Sequence, residues 1–206
     1  MTQPLTFKQY LQEMTMKTLN ISPALQTTFE YLTNKLHKDD LVKIGNLGEV
    51  EIMRHEASRS KHNSAPAIPM FVDLLMLQGK PIGIITGKRM RAHDDSHLWQ
   101  DPATRFVFML EEWYIVPEHQ RKGLGEQYLY FIKTEMKLPL LLGDIHSTAT
   151  QHLTKKLNAS TKLKLSWYNT KTGEIEPFEA EEGKYSTDGP TAWRLLVENS
   201  LSKPLN

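Results

Sequence analysis

Cysteine is absent from all 206 residues. That absence excludes disulfides, thiolate metal sites and a cysteine nucleophile, and it fits a reducing compartment. No apolar run approaches the roughly 20 residues that cross a bilayer. The N-terminal MTQPLTFKQYLQEM also lacks the cationic start and apolar core of a secretory leader. The chain therefore reads as soluble and cytoplasmic, with no membrane partner. An excess of one charge is missing too. Residues 1–100 carry 12 Lys/Arg and 10 Asp/Glu, leaving 13 and 14 of the totals of 25 and 24 for the rest, so the net charge of +1 conceals no basic arm or acidic tail. Charge-driven nucleic-acid binding is not indicated. Internal repeats and low-complexity tracts are likewise lacking.

What is present is a globular composition, with 39% hydrophobic and 24% charged residues. At about 150 residues per domain, the length fits one domain over 1–206, in which residues 1–40 form a helical N-terminal portion. Phe7, Tyr10, Leu11 and Met14 recur at helical spacing, and Ser22-Pro23 opens a second helix running to His37. Weak alternation over Leu41–Met53, broken by Gly45 and Gly48, suits an edge strand or hairpin. Arg54–Ala67 reads as a polar loop. MFVDLLML and IGIIT, separated by Gln78-Gly79-Lys80-Pro81, read as two strands joined by a turn. Lys88–Pro102 is loop-like, and Arg105–Val116 is a long strand ended by Pro117. Gly123–Lys137 carries Leu124, Tyr128, Phe131, Ile132 and Met136 on one helical face, with Pro139 as its stop. A strand at Leu140–Ile145, a short helix at Thr150–Leu157, a strand at Leu163–Tyr168, a Lys171-Thr172-Gly173 turn and a strand at Ala192–Val197 follow. Helical crossovers join parallel neighbours and terminal hairpins are antiparallel. The expected class is therefore α/β, a mixed sheet flanked by helices on both faces.

One segment concentrates chemistry: Val116-Pro117-Glu118-His119-Gln120-Arg121-Lys122-Gly123-Leu124-Gly125, where the long strand turns into an amphipathic helix. First-turn N–H groups of a helix have no helical partner, glycines let a ligand approach them, and Arg121 and Lys122 add positive charge. Such a cradle suits a pyrophosphate. No third glycine completes a G-x-G-x-x-G fingerprint, and no G-x-x-x-x-G-K-[ST] is present.

VPEHQRKGLG resembles the motif V-x-P-x-x-[RQ]-x-x-G-x-[GA] of the GCN5-related N-acetyltransferase (GNAT) superfamily, with Gln120, Gly123 and Gly125 at the three defining positions. The resemblance implies a GNAT-like mixed sheet and an acyl-CoA N-acyltransferase that uses acetyl-CoA and acylates an amine directly in a ternary complex. It assigns cofactor binding to Gln120, Arg121, Lys122, Gly123, Leu124, Gly125 and Ser147. It also gives the main chain of Tyr114, Ile115 and Val116 the task of pairing with pantetheine. Many members carry an Asn after the next strand and a Tyr about seven residues later that protonates the departing thiolate. Here Ser147 falls at the Asn position and Thr154 at the Tyr position, so the usual general acid is missing.

An amine with a pKa of about 10.4 must lose a proton before it attacks a thioester. Glu111 and Glu112, on the strand just before the expected thioester site, and His146, at the end of LLLGDIH, are the candidate bases. Alternation points the two glutamates to opposite faces. The acceptor is an amine of unread identity, and the chain is expected to be a monomer or homodimer. Two other readings stand beside the leading one: a DNA-adenine-modifying outlier of the same fold, against which the charge counts, and a non-catalytic binding module. His93-Asp94-Asp95-Ser96-His97 has metal-like composition but sits in a polar loop, and no metal is expected.

Overall fold

The computed structural model describes residues 7–18, 40–56, 71–91, 106–136, 140–143, 154–157, 163–178 and 193–199. Among them are nine strands in an open mixed sheet and a few helices, which is the class expected. The chain divides into two compact units, Met1–Lys88 with Glu112–Leu124 and Arg89–Glu111 with Gly125–Asn206.

The first unit holds helix α1 (Phe7–Thr18), with Leu11 buried, and an antiparallel meander. Its strands β1 (Val42–Leu47) and β2 (Val50–Glu56) turn through Gly48 at φ 60°, a value that suits glycine. Strands β3 (Phe71–Leu77) and β4 (Lys80–Arg91) turn through Gln78 and Gly79, both at positive φ. Two successive left-handed residues make the primed turn whose twist matches that of the flanking strands.

Two loop assignments need correction. Arg54–Glu56 belongs to β2 rather than to a loop, because Arg54 pairs in register with Asp73 of β3. The guanidinium donates to both carboxylate oxygens, Nε to Oδ1 at 2.7 Å and Nη2 to Oδ2 at 2.6 Å, and lies 4.7 Å from the centre of the Phe71 ring. Both side chains are buried. A charged residue that reads as solvent-facing in isolation enters the sheet because a partner 19 residues away satisfies it. Lys88–Arg91 likewise extends β4. The remainders of both expected loops, the expected helix at Ser22–His37 and the His93–His97 segment lie outside the described residues.

β4 carries a register shift. Leu75 pairs with Gly83 but Met76 pairs with Pro81, so Ile82 is an extra residue in the ladder. Proline has no N–H to give a ladder, and a bulge beside it is the usual accommodation. The displaced Ile82 carbonyl accepts the N–H of Val116 at 2.9 Å, which docks the end of β5 (Phe106–Ile115) on β4.

In the second unit β5 pairs in parallel with β6 (Leu140–Leu142) after a crossover through helix α2 (Leu124–Met136). The last strand, β9 (Trp193–Asn199), inserts between β6 and β7 (Leu163–Asn169) and is antiparallel to both. Val107, Met109, Leu141, Tyr168 and Leu196 form a buried cluster across these four strands. β8 (Ile175–Pro177), which the acidic sequence around it conceals, pairs with β7 across a turn. In that turn Asn169 Oδ1 accepts the N–H groups of Lys171 and Thr172.

Breaking a buried ion pair by removing one partner costs about 3–5 kcal/mol, whereas replacing both by apolar groups is often close to neutral. Asp73→Ala is therefore expected to lose about 3–5 kcal/mol in urea denaturation, and the double variant Arg54→Met/Asp73→Leu to lose much less. Equal losses in the two would show that packing rather than charge pairing holds β2 to β3.

Candidate functional site

Pro117 ends β5 because it has no N–H to continue the ladder and fixes φ for a turn. A 3₁₀ turn follows over Pro117–His119, with His119 N–H donating to Val116 O at 2.9 Å and Gln120 N–H to Pro117 O at 3.2 Å. Gln120 is extended, at φ −66° and ψ 161°. Arg121 then sits at φ 60° and Gly123 at φ 77°, and α2 begins at Leu124. The left-handed region costs an ordinary residue roughly 1–2 kcal/mol. Strain of that kind persists only where the surrounding structure over-determines it, and it gathers at ligand sites. Left-handed residues interleaved with others, just before a helix N-terminus, turn successive N–H groups toward one anion.

The positive charges are outermost. Arg121 and Lys122 are exposed, Gly123 is half-buried, and Leu124 is buried as the apolar anchor of the first turn of α2. Gly125, half-buried, is the second residue of α2. Glu126, also in the first turn, would oppose an anion, and Lys156 Nζ lies 2.5 Å from its Oε2 and offsets that charge. Lys156 belongs to a helical turn at 154–157 in which Thr154 is buried.

Before the turn, Tyr114 is buried and Ile115 is half-buried. The peptide between Ile115 and Val116 is held from both sides. Its N–H donates to Ile82 O at 2.9 Å, and its carbonyl accepts Gln120 Nε2 at 2.8 Å. Val116 N–H is thus committed to β4 and the Ile115 carbonyl to Gln120. Gly83 of β4 packs close, since a Cβ there would lie 3.1 Å from Tyr114 O. Burial, then the charge of Glu118, raises the Tyr114 hydroxyl above its ordinary 10.0.

Glu111 and Glu112 are both half-buried, as is Trp113. Exposure therefore does not alternate across this part of β5, and burial does not separate the two carboxylates. The described β5–β6 pairing reaches Leu110, whose carbonyl accepts Gly143 N–H at 2.7 Å. A Cβ on Gly143 would lie only 2.8 Å from that oxygen, so glycine is required for the approach. His146 and Ser147 lie outside the described residues. Among the described residues no group of three or more His, Asp or Glu converges as a metal site, and no helix is long and apolar enough to cross a membrane. Two contributors escaped the sequence reading, the Ile82 carbonyl and the inward bond of the Gln120 side chain. Pro81 was the available signal for the first, because proline inside a strand marks a bulge.

No protein-family model matches the chain, and no curated protein matches it. Solved structures that align with it include the N-acetyltransferase YlbP of Bacillus subtilis in complex with coenzyme A. That alignment covers 95% of this chain and 93% of that one, at 12% identity and a TM-score of 0.45. Arabidopsis thaliana Naa50, in complex with the bisubstrate analogue CoA-Ac-MVNAL, aligns over 62% of this chain and 71% of its own at 8% identity and a TM-score of 0.35. A GNAT-family acetyltransferase from Listeria monocytogenes aligns over 62% and 63% at 16% identity and a TM-score of 0.35.

Two outcomes follow from this geometry. Gly123→Ala places a Cβ on a residue at φ 77° and is expected to destabilise the fold by about 1–2 kcal/mol in chemical denaturation. An unchanged midpoint would mean that the turn adopts another conformation. Tyr114 provides a pH test. A hydroxyl whose folded pKa is raised contributes stability that is fully present below the unfolded value of 10.0 and lost as pH rises through the folded pKa. The stability difference between wild type and Tyr114→Phe, followed from pH 8 to 11, is expected to shift against wild type at the alkaline end. A flat difference would contradict the burial of the hydroxyl.

Proposed function

We propose that this chain is an acyl-CoA-dependent N-acyltransferase that uses acetyl-CoA and passes the acetyl group to an amine by direct attack in a ternary complex. The observation that carries this reading is the turn from Val116 to Leu124, with left-handed residues at Arg121 and Gly123 and a helix start beside two exposed cations. That donor set suits a pyrophosphate. Its amides are oriented by a turn that needs no side-chain ligand, and the left-handed conformation at Gly123 suits a residue without a side chain. Gly123, Leu124, Gly125, Arg121 and Lys122 would hold the pyrophosphate, with Gln120 shaping the turn. Main-chain groups of Tyr114, Ile115 and Val116 that these bonds leave open would hold the pantetheine arm. The co-substrate supplies an acetyl group activated as a thioester.

The protein's part is then to bind, orient and move one proton. A carboxylate at Glu111 or Glu112, both half-buried, would accept the proton that the ammonium acceptor must lose. His146 is retained as the other candidate base. The neutral amine then attacks the thioester carbon, the C–S bond breaks as the C–N bond forms, and the remaining ammonium proton goes to the departing thiolate. Thr154, at the position where relatives place the acidic Tyr, is buried. The absence of that Tyr supports a second reading, in which the turn binds CoA and the chain serves as a non-catalytic module.

Ligand binding to the native state at about 100 times its dissociation constant adds about 2.7 kcal/mol. Millimolar acetyl-CoA is therefore expected to raise the melting temperature by several degrees, and an unchanged transition would sink the reading. With an acceptor found from a panel of small amines, peptides and DNA, Glu111→Gln or Glu112→Gln is expected to lower turnover by about 10²–10⁴-fold. CoA binding without turnover on any acceptor would favour the non-catalytic module.

A further inference from the structure

We propose that Gln120 is a positioning residue whose side chain clamps the anion-binding turn through the Ile115 carbonyl, rather than a ligand of the phosphates; the inference rests on the acyl-CoA reading above. The side chain folds back five residues to place Nε2 2.8 Å from Ile115 O. A carbonyl only accepts, so the amide atom facing it is the nitrogen, and the orientation of the side chain is decided. The bond closes a small loop around the 3₁₀ turn at Pro117–His119.

The consequence lies one residue on. Gln120 is fixed twice, by its own N–H to Pro117 O at 3.2 Å and by its side chain to Ile115 O. Arg121, which follows, must hold φ 60° although it carries a Cβ. A residue so strained stays there only when its neighbours leave it no other course. The far side of the clamped peptide is held by Ile82 O, at the β4 bulge. Bulge, strand end, Gln120 side chain and Arg121 backbone therefore form one chain of constraints that ends where the amides of Gly123 and Leu124 are aimed. A donor at position 120 is what the clamp needs. Methionine has the same reach and no donor, whereas arginine can donate to the same carbonyl.

The test uses full-length protein in two measurements. In ligand-free hydrogen exchange, Gln120→Met is expected to speed exchange of the Val116 and His119 amides, which are hydrogen-bonded to Ile82 O and Val116 O on either side of the clamped peptide, by about three- to tenfold, the population worth of one modest hydrogen bond. Gln120→Arg is expected to restore slow exchange. In calorimetry, Gln120→Met is expected to weaken CoA about tenfold, while S-acetylpantetheine, which lacks the pyrophosphate, changes by less than twofold. Unchanged exchange in Gln120→Met, or no rescue by Gln120→Arg, overturns the clamp. Equal weakening of CoA and S-acetylpantetheine overturns its confinement to the phosphate turn. Wild-type protein that binds neither ligand would instead overturn the acyl-CoA reading and with it the anion-binding role, while the exchange result still decides whether Gln120 holds the turn.

Discussion

A side chain at φ 60° is the constraint on which the candidate site depends. Arg121 gives up roughly 1–2 kcal/mol of backbone preference to be there, and everything adjacent serves to make that conformation the only one available. Pro117 stops the strand, the 3₁₀ turn shortens the path, Gln120 is tied back to Ile115, and Gly123 supplies a second left-handed residue without penalty. The strain is therefore spent on aim. A relaxed turn of the same length would leave the N–H groups at the start of α2 exposed without directing them.

The aim is transmitted from β4. Pro81 cannot donate to a ladder, the ladder slips by one residue at Ile82, and the displaced carbonyl takes the N–H of Val116. The bulge thus costs one regular pairing and provides one anchor. Arg54 and Asp73 act earlier in the same meander. Paired across β2 and β3 and buried, they tolerate only the register in which they face each other, since a slip of one residue would strand a charge. The meander that carries the bulge is in this way held in a single alignment.

These relations explain what was legible in the sequence. The β3–β4 hairpin, the end of β5 at Pro117 and the start of α2 are local events, written in neighbouring turn residues and helical periodicity. Arg54 looks like a loop residue in sequence because its partner is 19 residues away, and Lys88 and Arg89 look so because charge alone does not mark a strand end. The placement of β9 between β6 and β7 leaves no local mark at all, since only pairing decides which strand enters the gap. Short, acidic β8 shows the same limit. At the site, the left-handed turn at Gly123 could be read because glycine reports backbone need directly. The task of Gln120 could not, since a glutamine that binds a ligand and one that binds its own main chain look alike.

That asymmetry has a physical origin. A cradle built from main-chain amides is visible in sequence through the few residues that backbone geometry restricts, whereas an acceptor site is built from side chains whose meaning depends on what they face. Glu111 and Glu112 illustrate the second case, two half-buried carboxylates side by side on one strand that neither alternation nor burial tells apart. The first case also divides its own electrostatics. Arg121 and Lys122 are exposed, so their attraction for a phosphate is screened over a Debye length of about 8 Å at physiological ionic strength. The oriented amides act at contact distance, where salt has little room to intervene. On the proposed reading, recognition of the anion would reside in the turn, and the two cations would chiefly hasten its arrival.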